Sequence, residues 1–340
     1  MTSRMLLEAR EAPTAVAHQL AHDAWAYRDF AALLRAQPPA SMLTIARGSS
    51  DHAAQYAGYL IMARLGRLVT SLPMSLVTLY QSKIDCRALV SLAFSQSGQS
   101  PDLVQPTRYF REGRAVTAAF VNDAASPLAR AAQWLFPLHA GVETSVAATK
   151  SVIAQMTAGA RLVAAWQEDA ALQAAVAGLP RVLSRAAGAD WSAAVDALKD
   201  ADRLLVIGRG LGLPVALEAA LKFKETCGLQ AEAFSGAEVQ HGPMALVEQG
   251  YPLLVFAPRG PAQPGLLALA DGMRSRGARV LLAAPAGTPR TSLPIADCAA
   301  IDLDPISMLQ SFYPMVEALS RARGLDPDRP RHLDKVTRTQ

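Results

Sequence analysis

Cysteine is scarce in this chain of 340 residues, and the three present, Cys86, Cys227 and Cys298, stand far apart with no C-x-x-C spacing. That excludes a disulfide framework and a cysteine-rich zinc site, so all three are expected as reduced packing residues. Aromatic side chains make up only 6% of the sequence, too few for a base-stacking platform. The formal charge is +4; such a small excess helps to draw in anionic metabolites but falls short of the basic stripe that nucleic acid requires. No uninterrupted apolar run approaches the length of a bilayer span, and the N-terminus lacks a signal-like apolar stretch. A cytoplasmic protein with neither nucleic-acid nor membrane partners is therefore expected. There is no G-x-x-x-x-G-K-[ST] loop, and Gly208-Arg-Gly-Leu-Gly-Leu-Pro214 lacks the third glycine of a dinucleotide fingerprint,. The expectation is that no metal and no cofactor are required.

What is abundant is apolar residues, 51% of the total, arranged as short strand-like runs alternating with longer Ala/Leu-rich helical stretches. This is the pattern of βαβ units and a parallel sheet, hence an α/β fold. Strands are expected at 42–46, 67–71, 89–94, 115–121 and 134–138, then from Arg203, at 253–257, 279–283 and 299–303. Helices are expected at 51–65, 101–112, 127–132, 146–166, 214–227 and 266–276. Met42-Leu-Thr-Ile-Ala-Arg-Gly and Arg203-Leu-Leu-Val-Ile-Gly-Arg-Gly both place Arg-Gly after an apolar strand, so the chain reads as a duplication. Its expected boundaries are 20–166 for the first domain, 190–320 for the second and 321–340 for a tail.

Two strand-to-helix junctions in the first half are crowded with hydroxyls. Ser95-Gln-Ser-Gly-Gln-Ser100 contributes Ser95, Gln96, Ser97 and Ser100, and Arg47-Gly-Ser-Ser50 contributes Gly48, Ser49 and Ser50. Serines commonly do no more than punctuate turns and cap helices. Two such clusters at the carboxyl ends of successive strands instead suggest a phosphate cradle built from hydroxyls and helix N-termini. The second half lacks these hydroxyls but carries Glu218-Ala-Ala-Leu-Lys-Phe-Lys-Glu225, which sets Glu218, Lys222 and Glu225 on one helical face. His241 follows in a His-Gly-Pro turn that should present its imidazole. A carboxylate able to move a proton between neighbouring carbons, with an imidazole titrating near neutrality, suits aldose–ketose chemistry. The alternative is a solvated, salt-bridged helix face. Lys335, in a proline-rich tail, is either a solvent charge or an amine folded back over a pocket.

Taken in order, Arg-Gly-Ser-Ser at 47–50, Ser-Gln-Ser-Gly-Gln-Ser-Pro-Asp at 95–102, Ala-Gly-Val-Glu-Thr-Ser-Val-Ala-Ala-Thr-Lys at 140–150, the 218–225 helix, Ala-Glu-Ala-Phe-Ser at 231–235, His-Gly-Pro at 241–243 and Leu-Asp-Lys-Val-Thr at 333–337 resemble the two-domain sugar-isomerase (SIS) family. That branch includes the isomerase half of glucosamine-6-phosphate synthase and related deaminases. The resemblance implies two tandem SIS domains, each a parallel sheet flanked by helices, acting on a phosphorylated amino sugar as a homodimer with sites at the subunit interface. It assigns phosphate binding to Ser50, Ser95, Gln96, Ser97 and Ser100, with Gly48 and Ser49 near the sugar and Val146 and Ala148 near its hydroxyls. Glu225 becomes the proton shuttle between C1 and C2 with Lys222 beside it, His241 the ring opener from the neighbouring subunit, and Lys335 an amine in a closing tail. Two departures stand out. Thr2 occupies the place of the synthases' glutaminase cysteine, which points to ammonia release rather than glutamine use. Arg47 stands where the synthases carry cysteine, either reaching the phosphate or structuring its loop. The implied reaction is glucosamine 6-phosphate to fructose 6-phosphate and ammonia. The alternatives are the galactosamine epimer, another phosphosugar isomerisation, or a non-catalytic sugar-phosphate sensor.

Overall fold

The computed structural model describes residues 2–335. Among these residues ten strands make two sheets in which every pairing is parallel. The first contains β1 (Ser41–Ile45), β2 (Val69–Ser71), β3 (Leu89–Ser95), β4 (Val116–Val121) and β5 (Trp134–Pro137), in the order β2-β1-β3-β4-β5. The second contains β6 (Arg203–Gly208), β7 (Gln230–Ser235), β8 (Pro252–Phe256), β9 (Arg279–Pro285) and β10 (Leu293–Ile295), in the order β10-β9-β8-β6-β7. Read from its β7 edge, the second sheet repeats the strand order of the first. The repeat seen in the sequence is thus a repeat of topology.

The chain divides into two compact units. Among the described residues, one comprises 2–13, 144–149 and 178–333 and carries β6–β10; the other comprises 14–143, 150–177 and 334–335 and carries β1–β5. In the β1–β5 unit the central strands are buried along almost their whole length, as expected of parallel strands covered by helices on both faces. Register places Phe94 beside Phe120 and Phe120 beside Phe136. The three fully buried rings stack with centroids 4.6 Å apart at each step, and each such burial contributes about 1.5–3 kcal/mol. In the β6–β10 unit, Leu205, Ile207, Leu253, Val255 and Leu282 pack with Leu266, Ala270 and Met273 of the Gln263–Ser275 helix.

The expected elements other than those at 146–166 and 299–303 are present within three residues of their expected ends; the helices Arg4–Leu20, Ala24–Ala36, Ser75–Thr78, Ala170–Ala177, Leu179–Ala187, Ser192–Leu198 and Asp304–Ala322 are additional to those expected, and three further corrections apply. β7 goes unrecognised because Gln-Ala-Glu-Ala-Phe-Ser lacks an apolar run; as an edge strand it fully buries Ala231 alone. The last strand is Leu293–Ile295, whereas 301–303 is a 3-10 turn. Pro294 is tolerated there because β10 lies at the sheet edge,. The helix expected from Val146 begins at Lys150, leaving 144–149 as irregular backbone.

Candidate active site

A sheet ordered 2-1-3 changes direction between β1 and β3, and open α/β sheets hold ligands beyond the carboxyl ends of the strands at that switch. Both hydroxyl turns lie there. The turn after β1 enters the Gly48–Leu65 helix, and the turn after β3 enters the Pro101–Glu112 helix. Ser95 is buried and its Oγ accepts from the Gly98 N–H at 2.9 Å, while Ser97 Oγ accepts from the Gln99 N–H at 3.3 Å. Ser95 therefore shapes the turn. Ser100 stands at the N-cap of its helix without a side-chain capping bond, whereas Ser126 Oγ does cap the next helix, accepting from the Ala129 N–H at 3.2 Å. Serine as a mere cap accounts for Ser126 and not for Ser100. Ser49, Ser50, Gln96, Ser97 and Ser100 are all partly exposed.

Two glycines give this cradle its shape. Gly98 has φ +62°, and a Cβ there would sit 2.2 Å from Ser126 Oγ. Gly48 has φ +53° with nothing within 4 Å of a Cβ position, so it is the left-handed backbone and not crowding that favours glycine there. Arg47 Nε donates to Asp102 Oδ2 at 2.9 Å, tying the two turns together.

The duplicated turn after β8 has lost this character. Arg259 makes a two-pronged ion pair with buried Asp304, both contacts at 2.7 Å. A protein carboxylate thus occupies the guanidinium in the copy that carries no hydroxyls.

In the β6–β10 unit the Leu213–Cys227 helix carries the ionisable set. Lys222 is fully buried, with Nζ 2.6 Å from Glu225 Oε2 and 3.3 Å from Glu218 Oε1. Tyr313 Oη donates to Glu218 Oε1 at 3.2 Å. Burial opposes the charge on Lys222, but the facing carboxylates of Glu218 and Glu225 outweigh it and hold the amine above its ordinary value,. The amine is therefore a fixed cation rather than a base. Glu225 differs from its neighbours in keeping 20% of its side chain exposed, so a buried charge orients a carboxylate that still reaches outward. A solvated helix face would leave all three exposed, and that alternative falls.

His241 ends a 3-10 turn and is exposed, with Gly242 at φ 146° behind it. Val146 and Ala148 are partly exposed and alternate with buried Ser145, Ala147 and Thr149 along this irregular segment. Glu8 anchors that stretch, accepting from the Ser145 N–H at 3.1 Å and from the Ser145 and Thr144 hydroxyls. Lys335 is not a solvent charge. Its Nζ lies 3.4 Å from Oε2 of fully buried Glu143, which also accepts from Ser151 Oγ at 2.6 Å. Val336 and Thr337 of the tail motif, with the rest of the tail to 340, lie outside the described residues.

The site residues expected from sequence thus form two groups. Arg47, Gly48, Ser49, Ser50, Ser95, Gln96, Ser97, Ser100 and Lys335 belong to the β1–β5 unit, and Val146, Ala148, Lys222, Glu225 and His241 to the β6–β10 unit. Sequence reasoning missed Glu143 and Glu8. Glu143 lies within a quoted motif, but only its partner Lys335, distant in sequence, marks it as important; Glu8 carries no local signal. The expectation that no metal is required rests in part on the absence of any His-x-x-x-His pair, and that is corrected: His18 and His22 form one, and the structure sets them beside His139 with one ring nitrogen of each within 4.8 Å of the others. The cysteines are free and buried as expected, and burial pushes Cys227 up to about 11 and Cys298 up to about 12. Among the described residues no helix is long and apolar enough to cross a membrane.

The sequence profile of the SIS domain matches residues 36–165, which carry β1–β5, and 197–287, which carry β6–β9. The chain belongs to the SIS domain family. It is 34% identical over 315 residues to the glutamine–fructose-6-phosphate aminotransferase (isomerizing) of Aeropyrum pernix, covering 87% of this chain and 50% of that protein. The corresponding enzyme of Methanothermobacter thermautotrophicus is 31% identical, again over 50% of its length. This SIS chain therefore spans about half the length of these curated relatives. Among solved structures, a candidate phosphosugar isomerase of Silicibacter pomeroyi is 42% identical with a TM-score of 0.91, covering 96% of this chain and 100% of that one. Glucosamine-6-phosphate deaminase of Thermotoga maritima shares the fold at 19% identity and a TM-score of 0.78, covering 99% of this chain and 100% of that one.

Proposed function

We propose that this SIS protein is an isomerising deaminase that converts glucosamine 6-phosphate to fructose 6-phosphate and ammonia. The observation that carries the reading is Glu225, a partly exposed carboxylate oriented by a fully buried ammonium at 2.6 Å. A base that takes a proton from one carbon and returns it to the next needs one accessible carboxylate held in a fixed place, and Glu225 has that arrangement. In this scheme the serine turns and two helix N-termini bind the phosphate, and His241, contributed by a second subunit of a homodimer, opens the pyranose ring. Glu225 then removes the C2 proton of the open aldehyde to leave an enolamine and delivers a proton to C1. The resulting C2 imine adds water and expels ammonia, leaving the ketose. Lys335 and the residues at Val146 and Ala148 contact the sugar. Phosphosugar chemistry agrees with the 42% identical candidate phosphosugar isomerase, and amino-sugar chemistry with the aminotransferase relatives at 31% and 34%.

The deciding experiment measures ammonia and fructose 6-phosphate released from glucosamine 6-phosphate by the purified chain, beside galactosamine 6-phosphate and non-aminated aldose phosphates. Equimolar ammonia and ketose phosphate from glucosamine 6-phosphate is the expected result. Turnover of only the galactosamine epimer, or only of a non-aminated sugar, transfers the assignment to that substrate. Absence of turnover on the whole panel, with phosphosugar binding retained, makes the protein a sensor.

A further inference from the structure

His18 and His22 occupy the last turn of the Arg4–Leu20 helix and the turn just beyond it, and His139 follows β5. One ring nitrogen of each lies within 4.8 Å of the others, and the ring centroids are 4.3, 4.8 and 5.5 Å apart. We propose that His18, His22 and His139 bind one divalent transition-metal ion of the Zn2+ type, with Asp23 orienting His139, in a site separate from the sugar chemistry.

The hydrogen bonds around the rings carry the argument. His22 Nδ1 is 2.7 Å from the His18 carbonyl, His18 Nδ1 is 3.3 Å from the His139 carbonyl, and His139 Nε2 is 2.6 Å from Asp23 Oδ2. Each ring faces an oxygen acceptor through one nitrogen, which in a neutral imidazole fixes the proton there and leaves a lone pair on the other. Metal-binding histidines have this tautomer control, commonly through a carboxylate or a backbone carbonyl. Both kinds of acceptor are present here.

The backbone around the cluster is held in place. Arg161 donates to the carbonyls of Gln19, Leu20 and His22 and so fixes the turn that bears two of the rings. Asp23 and His139 both adopt left-handed backbone, at φ 55° and 52°, a conformation that costs energy in a residue other than glycine and clusters at ligand-holding positions. The C-terminal end of a helix is also the end that favours a cation. Four tetrahedral ligands at about 2.0–2.1 Å from zinc lie roughly 3.3 Å apart, so small rotations of partly exposed side chains would close the set. Three imidazoles and one open position suit zinc and its neighbours better than calcium or magnesium, which prefer oxygen. Bound metal would fasten the turn at residues 21–23 to the segment after β5.

The test is titration of the metal-free full chain with Zn2+ at pH 7.5 by calorimetry, with Co2+ absorption spectra and thermal midpoints as second readouts. One ion per chain is expected, with a rise in midpoint and visible Co2+ bands. His22→Ala should weaken binding at least about tenfold and Asp23→Asn by about 10–100-fold, while His332→Ala, outside the cluster, changes nothing. His22 is exposed, so the metal-free midpoint of His22→Ala should match that of the metal-free wild type. Absence of saturable binding by the wild type, or wild-type affinity in both His22→Ala and His139→Ala, overturns the proposal. None of these readouts depends on turnover of a sugar.

Discussion

Arg47 Nε donates to Asp102 Oδ2 at 2.9 Å across 55 positions of sequence, joining the turn after β1 to the first turn of the helix after β3. Asp102 is buried and Arg47 largely exposed. The pair is therefore a brace between the two serine turns rather than a stability element of the deep core.

If the brace sets the spacing of the turns, Arg47→Ala should raise KM for the phosphosugar while leaving kcat nearly unchanged, at a stability cost of about 1 kcal/mol because the guanidinium is well solvated. Asp102→Asn should do the same, since it weakens the same contact from the other side. A large rise in KM for Arg47→Ala with none for Asp102→Asn would mean that Arg47 meets the phosphate itself.

Gly98→Ala tests the turn. Its left-handed backbone and the 2.2 Å approach of a Cβ to Ser126 Oγ predict a destabilisation of about 1–3 kcal/mol and a clear loss of phosphosugar affinity. Equilibrium denaturation and ligand titration check both parts; wild-type affinity in the variant would show that the turn does not touch the ligand.

Glu225→Gln keeps shape and removes the base. Turnover should fall more than about tenfold, a barrier increase of roughly 1.4 kcal/mol or more, with phosphosugar affinity little changed. A smaller loss would take the proton shuttle away from Glu225.

Lys222 makes an alkaline prediction. Its folded value is held above the ordinary 10.5 by Glu218 and Glu225 against the opposing effect of burial. The resulting stabilisation is complete below pH 10.5 and is lost only as pH climbs through the higher folded value. Lys222→Met leaves Glu218 buried without its cation and should cost about 3–5 kcal/mol near neutrality. Denaturation between pH 8 and 11.5 should show the gap between the two proteins narrowing only at the alkaline end.

Thiol titration probes the core. With Cys298 pushed up to about 12 and Cys227 up to about 11 by burial, neither holds appreciable thiolate at pH 8, so both should react with a disulfide reagent only after unfolding. Rapid labelling of native protein at either position would place it nearer the surface.

The amino-acid sequence by itself determined what depends on neighbours along the chain. The alternation of apolar strands and Ala-rich helices specified the parallel α/β architecture, the hydroxyl turns after β1 and β3 were legible as strand-to-helix junctions, and the i, i+4, i+7 spacing put Glu218, Lys222 and Glu225 on one face. Two edge strands of the second sheet escaped this logic: β7 is half exposed and β10 holds a proline, so neither has to present an apolar run. Only the tertiary structure decided which of the acidic pair around Lys222 stays reachable, because solvent exposure is set by what packs over the helix. It alone paired Lys335 with Glu143, 192 positions away, anchored Ser145 on Glu8, and brought His139 to His18 and His22. Contacts of that range arise when the chain returns on itself, and no local spacing encodes where it returns.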